Sequence, residues 1–114
     1  MRTAAFVHAT EIGWTRMADG VRRQVLGHGS DLMIVRVEFE SGAAGAVHHH
    51  PHRQATYIVE GCFEVSVGEQ KSELRAGDCF YAEADVPHGV KALERGVLVD
   101  VFTPVRNDFL QPPP

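Results

Sequence analysis

Gly42-Ala43-Ala44-Gly45-Ala46-Val47-His48-His49-His50-Pro51-His52-Arg53-Gln54 holds four of the seven histidines of the chain within five positions. On a β-strand, side chains two residues apart project to the same side, so His48 and His50 form a ready two-point chelate while His49 points away. Gln54 has the same parity and offers a third donor. His52 also shares it and is the chief rival, although Pro51 disrupts simple alternation there. A later segment, Gly77-Asp78 followed by Val86-Pro87-His88, can bring one more histidine from a distant strand. An expression tag would also concentrate histidine, but a tag is terminal and uninterrupted. His8 and His28 lie apart from both segments and are expected at the surface.

Outward from this stretch the chain has a β rhythm. Runs rich in Val, Ile, Phe and Tyr recur about every eight to twelve residues, separated by Gly, Pro and Asp. They predict strands over Val21–Leu26, Leu32–Glu38, Ala46–His50, Ala55–Glu60, Cys62–Val67, Lys71–Leu74, Cys79–Ala82, Gly89–Ala92 and Val97–Phe102. Many short strands of even spacing predict an all-β sandwich, jelly roll or small barrel. Alternation places Met33, Val35, Val37 and Phe39 on one face of their strand. In the last strand, Val97, Val99 and Val101 oppose Leu98, Asp100 and Phe102. Two orientations remain open: the valines face the core and Asp100 faces water, or a lone carboxylate faces inward.

With 114 residues, 44% of them hydrophobic and 23% charged, the chain is sized for one globular domain. The reading is a single domain over residues 1–114, with an extended N-terminal arm over about residues 1–19 and a Pro-rich tail over about residues 111–114. Eleven Lys and Arg against fifteen Asp and Glu give a net charge of −4 and no basic stripe, which argues against nucleic acid as a partner. No apolar run approaches the roughly 20 residues of a membrane span, and Met1–Thr10 lacks the apolar region of a signal peptide, so the expected location is cytoplasmic. Cys62 and Cys79 form no C-x-x-C pair and lie in apolar runs, where buried free thiols are expected.

The arrangement Gly42-x5-His48-x-His50-x3-Gln54-x6-Gly61, followed by Gly77-Asp78 and Pro87-His88, resembles the two cupin motifs, with Gln54 standing where the general motif has Glu. The resemblance implies a small jelly-roll-like β-barrel holding one divalent transition metal (Ni, Zn, Fe, Co or Mn) on His48, His50, Gln54 and His88. Three imidazoles and a neutral amide leave the ion's charge uncompensated, so such a site favours an anionic guest.

Two further segments, Leu32–Glu40 and Leu98–Leu110, are similar to those of the KdgF-type cupins of pectin and alginate breakdown. That likeness implies an enzyme that opens the ring of 4,5-unsaturated uronate monosaccharides to give 5-keto-4-deoxyuronate. Asp100 would move the proton, Arg106 would clamp the substrate carboxylate, and Phe102 would pack on the sugar ring. Two other functions stay open at this point: a non-catalytic sugar-acid-binding cupin and an iron-dependent cupin dioxygenase. Nine short strands leave edges to cover, and a homodimer is expected.

Overall fold

A computed structural model describes residues 2–110. Among these residues the chain forms β1 (Thr15–Ala18), β2 (Val21–His28), β3 (Met33–Phe39), β4 (Ala44–His48), β5 (Arg53–Glu60), β6 (Cys62–Val67), β7 (Gln70–Arg75), β8 (Cys79–Ala82), β9 (His88–Ala92), β10 (Gly96–Thr103) and a one-turn helix α1 (Asn107–Leu110). They make two antiparallel sheets, one ordered β1-β2-β3-β10-β5-β8 and the other β4-β9-β6-β7. β10 returns from the end of the chain to lie between β3 and β5, so the middle of the first sheet is built by long-range pairing in jelly-roll fashion.

The N-terminal stretch expected as an extended arm carries a 3₁₀ turn at Ala9–Glu11 and the edge strand β1, which pairs with β2. Gln24 explains why the turn stays docked: its buried amide donates 2.9 Å bonds to the carbonyls of Ala9 and Ile12. The expected Pro-rich tail at residues 111–114 lies outside the described residues.

Alternation builds the core. β3 buries Met33, Val35, Val37 and Phe39, and β5 buries Gln54, Thr56 and Ile58. The Phe39 and Phe63 rings meet edge to face at 5.2 Å, joining the two sheets through an apolar contact between β3 and β6. Each such fully buried large side chain contributes about 1.5–3 kcal/mol. The turn between β5 and β6 needs glycine at position 61, where φ is +89° and a Cβ would stand 2.5 Å from the Arg95 carbonyl oxygen.

Between the two orientations left open for β10, the structure selects the inward carboxylate. Leu98 and Phe102 are each 2% exposed and Asp100 lies between them on the same face, with Val99 and Val101 half-buried on the other. Val97 is buried as well, where the register with β5 shifts by one residue. The outer face of the six-stranded sheet keeps Ile34, Tyr57, Val59 and Tyr81 exposed.

Two expectations need correction. Cys62 is buried but Cys79 is exposed, because it pairs with Tyr57 on the outward parity of β8; both are free thiols. His8 is exposed, whereas His28 is half-buried at the end of β2, where its backbone pairs with Thr3 and its Nδ1 is shielded without a partner.

Candidate metal centre and its cavity

His48 is the last residue of β4 and His88 the first of β9, and the two face each other in register with ring centroids 4.6 Å apart. His50 does not extend the strand as expected. β4 ends at His48, and His50 enters from the loop before Pro51, its carbonyl accepting a 2.7 Å bond from the Asp85 N–H. Its ring lies 5.4 Å from that of His48 and 4.8 Å from that of His88. The three histidines offer nitrogen atoms within 4.8 Å of one another and could hold a metal ion. His52 stands outside this group, packing its ring edge to face on His50 at 5.4 Å, and His49 is exposed.

The backbone decides which nitrogen each ring presents. His48 Nδ1 lies 2.9 Å from the Ala46 carbonyl, His50 Nδ1 2.9 Å from that of His52, and His88 Nδ1 2.8 Å from that of Val86. A carbonyl only accepts, so each Nδ1 carries the proton and each Nε2 keeps its lone pair. Burial also holds His50 and His88 below the usual imidazole range, with the Arg106 charge adding to the effect, and ligation requires that neutral form.

Gln54 completes the set from β5. Its Oε1 lies 3.1 Å from His50 Nε2 and 3.0 Å from His88 Nε2. In these tautomers all three atoms are acceptors, with no proton among them to share. Lone pairs converging at hydrogen-bond distance repel unless a cation lies between them, and a transition metal suits three imidazoles and an amide oxygen. The donor set therefore fits a divalent metal.

Behind Gln54 lies a polar triangle buried in an otherwise apolar wall. Gln54 Nε2 donates to Thr56 Oγ1 at 2.9 Å and to Asp100 Oδ1 at 3.0 Å, and the Thr56 hydroxyl donates to the same Oδ1 at 2.6 Å. Burial pushes the Asp100 carboxyl up to about 6, against the opposing pull of the Thr56 and Gln54 hydrogen bonds and the Arg106 charge. A carboxyl raised on folding favours the folded state fully below its ordinary 3.8, and that advantage is lost as pH climbs from 3.8 through about 6. In metal-free protein, Asp100→Asn should therefore gain stability on the wild type across that window, reaching about 2–3 kcal/mol at neutral pH. Urea denaturation at acid and neutral pH measures the gap, and a gap that does not change with pH would show an ordinary Asp100.

The centre opens on a cavity of about 400 Å³ between the sheets, lined among others by His48, His88, Asp100, Phe102, Arg106 and Phe109. Arg106 is held by Asp108 through two bonds, Nε at 3.1 Å and a terminal nitrogen at 2.9 Å, and its guanidinium lies 4.2 Å from the Phe109 centroid. The fork faces Asp108 as well as the cavity. The structure thus brings His48, His50, Gln54, His88, Asp100, Phe102 and Arg106 to one place.

Sequence reasoning missed Thr56 and Phe109. Thr56 was detectable as a polar residue at inward parity between Gln54 and Ile58. Phe109 carried no signal, since α1 is too short to have a period.

Residues 35–102 match the cupin domain family. The chain is 42% identical over 102 residues to the pectin degradation protein KdgF of Dickeya dadantii, covering 88% of this chain and 93% of that one. Among solved structures, KdgF from Halomonas sp. is 38% identical with a TM-score of 0.89, over 94% of this chain and 99% of that one. An RmlC-like cupin from Shewanella frigidimarina is also 38% identical, with a TM-score of 0.91 over 95% and 97% of the two chains. Motif spacing, sheet order and these likenesses agree, and the chain belongs to the cupin family as a KdgF-type member.

Proposed function

We propose that this chain opens the ring of 4,5-unsaturated uronate monosaccharides to give 5-keto-4-deoxyuronate, a step in pectin or alginate breakdown, with one divalent transition metal held by His48, His50, Gln54 and His88. The observation that carries the reading is a carboxyl group tied directly to a prospective metal ligand, Asp100 to Gln54, at the wall of a sugar-sized cavity. The 42% identity to a protein named for pectin degradation supports the substrate class. When bound, a metal ion (Ni, Zn, Fe, Co or Mn) supplies Lewis acidity toward an anionic oxygen of the substrate.

The remaining work falls to the chain's own side chains. Loss of the anomeric hydroxyl proton with cleavage of the bond from carbon 1 to the ring oxygen converts the hemiacetal to an aldehyde and an enolate, and the enolate becomes a ketone when carbon 4 gains a proton. One proton leaves the anomeric hydroxyl and one arrives at carbon 4, so the reaction is an isomerisation with no net change in atoms. A carboxyl poised near 6 can take the first and give the second, which is the role assigned to Asp100. Arg106 keeps N–H groups beyond the two that Asp108 engages, and these bind the substrate carboxylate. Phe102 and Phe109, with ring centroids 5.6 Å apart, pack against the sugar and exclude water. The apolar outer face around Ile34, Tyr57 and Tyr81 supports a homodimer.

Protein loaded with a single metal is expected to bleach the ultraviolet absorbance of the conjugated C4=C5 bond in an unsaturated uronate far faster than the uncatalysed decay. Decay at the uncatalysed rate with every metal would remove this reading.

A further inference from the structure

A glutamine amide has two ends of nearly the same shape, and the metal centre needs only one of them. Three neutral imidazoles with bare Nε2 atoms would by themselves attract the NH₂ end of Gln54, which could donate to His50 and His88 and close the site to a cation. Whatever lies behind the amide must therefore favour the opposite orientation. At 1% exposure, Thr56 is the residue placed to do this.

The single hydroxyl proton of Thr56 is committed to Asp100 Oδ1 at 2.6 Å, so toward Gln54 its oxygen offers only lone pairs. Gln54 Nε2 then meets two acceptors, Thr56 Oγ1 at 2.9 Å and Asp100 Oδ1 at 3.0 Å, and turning the amide over would set its oxygen against both. We propose that Thr56 is a positioning residue whose hydroxyl fixes the Gln54 amide with Oε1 toward the imidazoles and holds Asp100 against that same ligand. The hydroxyl thus links the metal-binding and proton-moving parts of the site. This rests on the metal-centre reading above but not on the identity of the substrate.

The test uses Co(II) as the probe, without substrate. Affinity by chelator competition and the visible ligand-field spectrum are compared for wild type, Thr56→Val and Thr56→Ser, with thermal melting of each metal-free protein measured separately. Changes behind a ligand cost about 10–100-fold in metal affinity, and Thr56→Val is expected to fall in that range with an altered spectrum. Thr56→Ser keeps the hydroxyl and is expected to restore both. If the valine variant does not fold, Thr56→Ala makes the same comparison.

A hydroxyl-free variant that binds Co(II) with wild-type affinity and spectrum overturns the proposal, as does a serine variant as defective as the valine. Wild type that takes up no Co(II) removes the metal centre itself and this role with it. Wild type that binds Co(II) but leaves unsaturated uronates untouched removes only the reaction, and the Thr56 effect on the spectrum still stands.

Discussion

Asp100→Asn is expected to lower kcat on an unsaturated uronate by about 10²–10⁴-fold, the usual contribution of a positioned acid or base, while metal affinity stays near that of the wild type. Asparagine keeps an acceptor oxygen where Asp100 Oδ1 receives the Thr56 and Gln54 bonds, so the polar triangle can persist and Gln54 can stay aimed at the imidazoles. What disappears is a group able to exchange a proton near neutral pH. The absorbance assay read beside metal content separates the two effects. Undiminished kcat in a metal-loaded variant would dismiss Asp100 as the proton carrier, and loss of metal together with turnover would recast it as a support for Gln54.

His88→Ala is expected to weaken metal binding by more than about 100-fold, beyond the range for residues that act behind a ligand, and to abolish turnover. His88 is 2% exposed, faces His48 across the β4–β9 ladder and its Nε2 lies 3.0 Å from Gln54 Oε1, so its truncation removes a buried donor from the middle of the set. His49→Ala provides the control, since His49 is exposed and outside the cluster. Metal content after dialysis and ligand-field spectra of both variants check the contrast. Equal retention of metal by the two would remove His88 from the centre.

The parts of this site that could be read from sequence are those set by short-range periodicity. Alternation along Met33–Phe39 gave the buried face of β3, and the spacing of His48, Gln54 and His88 gave residues that folding does bring together. His50 reaches the cluster by a different route from the one that strand parity implied. Pro51 follows it, and the chain leaves β4 after His48.

The orientation of Asp100 was undecided because its strand has valines on one face and Leu and Phe on the other, so hydrophobicity alone is balanced. Pairing with both β3 and β5 in the centre of the sheet resolves it. Cys79 is exposed although it lies in an apolar run, because such a run does not reveal which parity faces out. An Arg106–Asp108 pair is legible from their spacing, but the role of Phe109 arises from a four-residue helix placed by tertiary contact, for which no local pattern exists.

The three Nδ1 contacts to the carbonyls of Ala46, His52 and Val86 each span only two positions along the chain. Each imidazole is therefore anchored by its own stretch of main chain, and only His50 also leans on a β10 side chain, its ring packing edge to face on Phe102 at 5.7 Å. Apart from Phe102, the side chains of β10 and α1 can then be exchanged for others without re-aiming the histidines. One scaffold of this kind can be retasked by evolution, or by an engineer, through edits to a single wall.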